Sequence, residues 1–185
     1  MQIYYSSIQA IQQQTLQLDN EQCVHCKQNH QLVSHGFIHK KRVGAEPEAV
    51  GKRVLCSNRN RRTGCGRTVQ LYLDSTIRYL HYAAWRVETF LFALMAGITI
   101  QRAYYQATGA NAPRNAYLWL NKLSAQLSCY RSLSHQPLLP HSTQAATENR
   151  YPRRGLLIST VDALLRQWGQ PLCAGFQLKW QRSFV

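Results

Sequence analysis

Acidic side chains are scarce in this chain of 185 residues, which has 8 Asp and Glu against 22 Lys and Arg and a formal net charge of +14. This excess is larger than solubility requires and indicates an anionic partner, nucleic acid before a membrane surface. The shortage of acids also argues against an enzyme. A DNA-cutting transposase needs several carboxylates to hold two magnesium ions, and no nuclease core surrounds the carboxylates present here.

Long apolar runs are absent as well. No stretch of 18 or more apolar residues occurs, so we expect no membrane span. The first residues lack a basic region followed by an apolar core, so we expect no signal peptide. Six cysteines without such a signal favour metal binding over disulfides. The sequence therefore predicts a cytoplasmic, nucleoid-associated protein.

Four of the cysteines form two pairs. Cys23 and Cys26 are separated by two residues, and Cys56 and Cys65 by eight, which is wider than the usual two to four. Two pairs of thiolates can supply the four ligands of a tetrahedral zinc site, and such a closed site is structural rather than catalytic. We therefore predict one structural Zn²⁺ per chain. Two alternatives stay open, namely four unrelated buried thiols, or a histidine ligand drawn from His25, His30, His35 and His39. Cys129 and Cys173 are expected to be buried and structural.

Residues 21–74 have the pattern of a β-rich metal module. Apolar and β-branched residues predict strands at 32–39, 50–55 and 67–73. Three short strands and two cysteine pairs predict a zinc ribbon, in which the metal supplies much of the folding free energy because little surface is buried.

The second cysteine pair encloses the most basic part of the chain. Charges there and on the neighbouring hairpin are predicted to contact the phosphate backbone. These candidate DNA-binding residues are Arg59, Arg61, Arg62, Arg67, Lys40, Lys41 and Arg42.

The ribbon pattern resembles known families. The arrangement Cys23-x-x-Cys26, a hairpin, then Cys56-x-Asn58 leading to Cys65-Gly66-x-Thr68 resembles the zinc ribbons of phage late-gene activators of the Ogr/Delta type. It also resembles the ribbon that precedes a helix-turn-helix in insertion-sequence transposition proteins. The gap of eight residues is longer than either family usually shows.

The period of the pattern then changes from two to three and four. Apolar spacing predicts a helix over 75–97 that ends at Gly97, and a short helix over 99–107 with Thr99 as its N-cap. A glycine turn follows, and Asn111 is predicted to cap a third helix that begins near Ala112 and Pro113. Three helices with a tight turn before the last predict a trihelical helix-turn-helix.

This segment resembles the DNA-binding helices of transposases and site-specific recombination proteins. The residues that carry the resemblance are Gly97-Ile98-Thr99, Gly109 and Tyr117-Leu118-Trp119-Leu120. In such a motif the third helix enters the major groove, the second contacts phosphate and the tryptophan packs in the core. The candidate contacts are Arg102 to phosphate, and Arg114, Asn115, Leu118, Asn121 and Lys122 to the bases.

The remaining segments carry weaker signals. Residues 1–20 read as an arm with a weak helical pattern over 7–18, and residues 131–154 as a linker. Residues 155–185 predict a helix that ends at Gly169, followed by a strand over 174–182. This C-terminal helix–strand unit is too small to fold alone, and could dock on the helices, pair with another copy to form a homodimer, or bind a partner.

Together these patterns predict an α+β protein: a four-cysteine zinc ribbon over 21–74, a trihelical helix-turn-helix over 75–130, and the C-terminal unit. The function predicted is sequence-specific binding to double-stranded DNA, as a transcription regulator or an accessory factor of a mobile genetic element. One alternative is an adaptor that docks on a recombinase, transposase or RNA polymerase with incidental nucleic-acid binding. An RNA-binding ribbon is the remaining alternative.

Overall fold

The computed structural model describes residues 1–41, 46–78, 80–133 and 152–185. The described residues form a mixed α+β protein with one four-stranded sheet and seven α-helices. The chain divides into two compact units. The first comprises Met1–His81 with Phe176–Ser183, and the second comprises Tyr82–Gly175 with Phe184–Val185.

The sheet of the first unit contains β1 (Gln2–Tyr5), β2 (Leu32–Lys40), β3 (Glu48–Cys56) and β4 (Thr68–Leu73) in the order β1-β4-β3-β2. Strands β2, β3 and β4 pair antiparallel, which confirms the three predicted strands. Strand β1 lies parallel to β4 and was not predicted. Its four residues show no alternating pattern long enough to read, and its partner lies more than 60 residues away.

Both faces of the sheet are covered. One face carries the core residues Ile11, Leu18, Cys23, Leu32, Val54, Cys56, Val69 and Leu71, and the other carries Tyr4, Ile38, Val50 and Tyr72. Helix α1 (Ile8–Leu16) confirms the weak helical pattern of the arm, and Ser7 caps it by accepting from the Ala10 amide at 3.1 Å. A short 3-10 helix follows at Leu18–Asn20. The cysteine pairs thus adjoin an apolar core.

The predicted helix over 75–97 is too long at its start. Helix α2 runs only over Ala84–Met95, although Ile77 and Leu80 are buried as expected. The preceding carbonyl groups accept from side chains, although the Ile77 carbonyl also accepts from the Leu80 amide at 3.3 Å. The Lys40 ammonium donates to the carbonyls of Ile77 and Leu80, and the Gln177 amide to those of Asp74 and Thr76. These bonds hold the segment in a non-helical path.

The next helices lie close to the predicted positions. They are α3 (Ile100–Thr108) and α4 (Pro113–Ala125). A separate helix, α5 (Leu127–Leu133), follows α4 and was not predicted. Gly97 and Gly109 both have positive φ, as expected for glycines that end a helix. The N-cap of α4 is Ala112 and not Asn111, so that assignment was wrong by one residue. Trp119 is buried, with its ring 5.1 to 5.6 Å from those of Tyr82, Phe90 and Tyr104, which confirms its core role.

The C-terminal strand prediction was wrong. Helix α6 (Pro152–Trp168) ends before Gly169 as expected, but Leu172–Trp180 is a further helix, α7. The alternation read over 174–182 is incidental, because Cys173, Phe176 and Gln177 are buried at helical spacing. The buried Glu88 carboxylate accepts from the Cys173 amide at 2.7 Å and so stabilises the first turn of α7.

The predicted linker over 131–154 falls mainly on residues 134–151, which lie outside the described residues. Of its ends, 131–133 close α5 and 152–154 open α6. Among the described residues, no helix combines the length and the apolar composition that crossing a membrane requires.

Candidate metal centre and nucleic-acid interface

The four cysteines Cys23, Cys26, Cys56 and Cys65 lie together, with all their Sγ atoms within 4.8 Å of one another. Two of the sulfur pairs are Cys26–Cys56 at 3.6 Å and Cys23–Cys65 at 3.9 Å. Four sulfurs placed about 2.3 Å from a central ion in a tetrahedron would lie about 3.8 Å apart. The cluster therefore has the size of a four-thiolate metal site, and it could bind a metal ion.

A disulfide does not account for this cluster. All four cysteines are free thiols, and the Cys26–Cys56 sulfur separation of 3.6 Å is far above the bonded distance of about 2.0 Å. Cys23 and Cys56 are fully buried, whereas Cys65 is exposed. The site thus lies at the edge of the apolar core, with one ligand facing solvent.

The first cysteine pair forms a tight turn over residues 23–28. The Cys23 amide donates to the Gln28 carbonyl at 2.9 Å, and the Lys27 amide donates back to the Cys23 carbonyl at 2.8 Å. The His25 amide also points at the Cys23 sulfur, 3.4 Å away. Lys27 adopts a φ of 62°, so the turn closes through a left-handed residue.

The second pair repeats this turn in spite of its wider gap. The Cys56 amide donates to the Arg67 carbonyl at 2.9 Å, and the Gly66 amide donates back to the Cys56 carbonyl at 2.9 Å. Gly66 has a φ of 70° and so occupies the place that Lys27 has in the first turn. Both pairs therefore have the same hydrogen-bonded frame around their sulfurs.

A single hydrogen bond explains how eight intervening residues fit this frame. The Gly64 amide donates to the Ser57 carbonyl at 2.8 Å, which closes off residues 58–63 as a separate loop, here called the insert loop. Without that loop the turn would read Cys56-Ser57-Gly64-Cys65, with the same two-residue gap as Cys23 and Cys26. The unusual spacing is thus an ordinary cysteine turn that carries an insertion.

Gly64 is required where the loop joins the turn. A Cβ at this position would lie 2.6 Å from the Cys56 sulfur and 2.4 Å from the Ser57 carbonyl oxygen. Both atoms belong to the turn of the second cysteine pair, so no flexible side chain could move aside. The insert loop therefore begins and ends against the proposed ligands without displacing them.

The sulfur atoms differ in their acidity. Burial alone would raise the pKa of Cys23, but the amides of Cys26 and His25 stabilise its thiolate and lower the pKa to about 7. Burial raises the pKa of Cys56 to about 12. A cation entering the cluster would displace the remaining protons, so metal affinity should decrease as pH falls.

No histidine joins the four cysteines in the metal cluster of the described residues, although His25, His30, His35 and His39 all lie nearby in the sequence. Cys173 is fully buried and Cys129 is half-buried, and neither belongs to the cluster. Both were expected to be buried, and Cys173 fits that expectation better than Cys129.

The insert loop has a fixed base and an exposed tip. The Arg62 guanidinium donates to the His30 carbonyl at 2.6 Å and lies 3.9 Å from the Asp19 carboxylate. Arg59 and Arg61 are exposed, and Asn60 and Arg61 at the tip have positive φ. Two of the three predicted arginines thus extend into solvent, while Arg62 anchors the loop.

The other predicted DNA-contacting residues of the first unit also differ in whether their charged groups are exposed. Lys41 and Arg67 are exposed. The Lys40 ammonium is committed to the carbonyls described above. Arg42 lies outside the described residues. The structure therefore leaves Lys41, Arg59, Arg61 and Arg67 as the accessible members of the set.

Helix α4 has its predicted base-contacting residues on one face and its buried residues on another. Its buried residues are Ala116, Trp119, Leu120 and Leu123. All five predicted base contacts are exposed, namely Arg114, Asn115, Leu118, Asn121 and Lys122. Their spacing of one, four, seven and eight residues places them on one face of the helix. Arg102 on α3 is exposed as well.

The exposed charged side chains of residues 82–133 are all positive. Residues 82–133 contain one acid, Glu88, which is buried, so no carboxylate of this segment faces solvent. The same segment contains five basic residues, namely Arg86, Arg102, Arg114, Lys122 and Arg131. This surface matches a polyanion.

Comparison of the chain with protein family models, with curated proteins and with solved structures finds no match in any of the three. Sequence reasoning did not find the hydrogen bond that closes the insert loop, or the role of Arg62 as its anchor. The two glycines that flank Cys65 were the one available signal, because glycines concentrate where the backbone turns tightly.

Proposed function

We propose that this protein binds double-stranded DNA in a sequence-specific manner, with a structural zinc ion held by Cys23, Cys26, Cys56 and Cys65. In this proposal the first unit is a zinc ribbon, and α2, α3 and α4 act as a helix-turn-helix. The protein acts by binding rather than by catalysis, as a transcription regulator or an accessory factor of a mobile genetic element.

The exposed face of α4 carries this proposal. It presents an arginine, two asparagines and a lysine with an apolar residue between them, and its opposite face is buried. Arginine and asparagine can each form two hydrogen bonds to the edge of one base, guanine and adenine respectively. A helix that offers such side chains, in a segment (82–133) whose one carboxylate is buried, suits the major groove.

The zinc assignment rests on the chemistry of the donors. Four thiolates at tetrahedral separation favour zinc over magnesium or calcium, which prefer oxygen ligands. The ion would join the two cysteine turns and would thereby fix the base of the insert loop. The exposed Arg59 and Arg61 would then meet the phosphate backbone from a rigid support.

A gel-shift titration with selected and unrelated duplexes at rising salt tests this function. We expect the selected sequence to bind more tightly than unrelated duplexes, and both affinities to fall as salt rises. Arg114→Ala should lower the affinity for the selected duplex by on the order of 10-fold, because a two-bond base contact is lost.

Arg166→Ala is the matched control, since Arg166 is exposed on α6 and pairs with Asp162 at 2.7 Å. Its removal should leave both affinities unchanged. Absence of duplex binding at low salt would refute the proposal, and equal affinity for unrelated duplexes would remove sequence-specific control.

A further inference from the structure

Trp85, near the start of α2, is an exposed indole held in place by a cation. It keeps 54% of its surface accessible. The Arg86 guanidinium lies over the Trp85 ring, 4.6 Å from its centroid, and 5.8 Å from the Tyr82 ring. The same guanidinium donates to the Ala107 carbonyl at 2.9 Å, which fixes it to the end of α3. The guanidinium thus supports one face of the indole, and more than half of the residue's surface stays accessible to a ligand.

A chain of ring contacts links this indole to the proposed DNA-reading helix, because the Tyr82 ring lies 5.8 Å from the Arg86 guanidinium and 5.4 Å from the Trp119 ring of α4. Ala107, which anchors Arg86, is six residues before Pro113, where α4 begins. Six residues span at most about 20 Å, so the start of α4 lies within that distance of Ala107. A 24-base-pair duplex is about 80 Å long, so a duplex bound by Arg114 extends well beyond this separation.

The chemistry of Trp85 and Arg86 indicates which kind of group they would bind. A tryptophan face next to an arginine binds a planar, electron-rich group whose surroundings are negatively charged. The absence of exposed carboxylates in residues 82–133 adds charge complementarity to a nucleic acid. A base inside an intact duplex has both faces occupied by its neighbours, so only an unpaired base can stack on a protein side chain.

We propose that Trp85 is a stacking site for one unpaired base beside the bound duplex, so that the protein prefers locally unpaired DNA to fully paired DNA. This inference rests on the proposed DNA binding and adds to it a preference for DNA structure. Arg86 acts as a positioning residue that holds the indole while the base stacks on its free face.

Fluorescence anisotropy with two probes tests the proposal. One is a 24-base-pair duplex, and the other is the same duplex with a bulge of three thymines. We expect the wild-type protein to bind the bulged probe about 10-fold more tightly, in line with the usual effect of one stacked base. Trp85→Ala should bind both probes equally, and Trp85→Phe should keep most of the preference because it retains a ring.

Tyr105→Ala is the matched control, because Tyr105 is an aromatic residue of α3 with 55% of its surface exposed. It should retain the 10-fold ratio. Tryptophan emission gives a second readout. Bulged DNA should quench the wild-type protein more than the duplex does, and Trp85→Phe should abolish the difference, because it removes the indole on which the unpaired base stacks.

The outcomes separate this inference from the proposed function. Equal wild-type affinity for the two probes, or an unchanged ratio in Trp85→Ala, would overturn the stacking site while duplex binding stands. Binding of the bulged probe alone would support the stacking site and refute duplex binding. Failure to bind either probe at low salt would refute both.

Discussion

Cys56→Ser is expected to release the metal and unfold the first unit while the helices of the second unit remain partly formed. Cys56 is fully buried, ends β3 and accepts from the Cys65 amide at 3.2 Å. A structural zinc ion contributes about 10–16 kcal/mol in small metal-binding domains. Whole domains are stable by only about 5–15 kcal/mol, so the sheet should not persist without the ion.

Zinc analysis together with hydrogen exchange of β2, β3 and β4 measures this effect. Cys129→Ser is the matched control, because Cys129 is a half-buried cysteine outside the cluster. It should keep one zinc ion per chain and a protected sheet. A Cys56→Ser protein that lost its metal and yet kept full protection of the sheet would contradict a structural role for the ion.

Deletion of residues 58–63 is expected to separate metal binding from DNA binding. The shortened turn, Cys56-Ser57-Gly64-Cys65, has the gap of the first pair, and the bond between Ser57 and Gly64 already brings its new ends together. We expect one zinc ion per chain to be retained. Loss of two exposed arginines should lower duplex affinity by on the order of 50-fold near 0.1 M salt.

The salt dependence of duplex affinity provides a second, independent measurement of the same effect. Two lost phosphate contacts should reduce the slope of log affinity against log salt by about 1.8. Arg59→Ala combined with Arg61→Ala should have the same effect without shortening the chain, whereas Arg166→Ala should not. Loss of zinc on deletion would show that the turn of the second cysteine pair needs the insert loop to bind the metal. Unchanged affinity would show that it does not contact DNA.

Local patterns predicted most of the elements. Strands β2, β3 and β4 followed from short β-branched and apolar runs, and α3 and α4 from apolar spacing, the Thr99 cap and the glycine turn at Gly109. Two failures share a cause, which is that side chains distant in the sequence decide the path of the backbone. Lys40 and Gln177 keep the segment before α2 out of a helix, and Glu88 stabilises the first turn of α7.

The candidate site was predictable only in part, because its ligand set follows from local spacing and the shape of its loop does not. Cysteine spacing pointed to the four residues that the structure brings together. It did not show that residues 58–63 are an insertion, because the closing bond joins Ser57 and Gly64, which are not adjacent in sequence. Nor could charge alone tell the exposed Arg59 from Arg62, whose guanidinium binds the His30 carbonyl.

X-ray absorption at the zinc edge, on protein purified without added metal, tests the central claim most directly. The claim is that the four cysteines hold one structural zinc ion that orders the first unit. We predict one zinc ion per chain, surrounded by four sulfur atoms at about 2.3 Å. A folded protein without metal, or a shell in which nitrogen replaces sulfur, would contradict it.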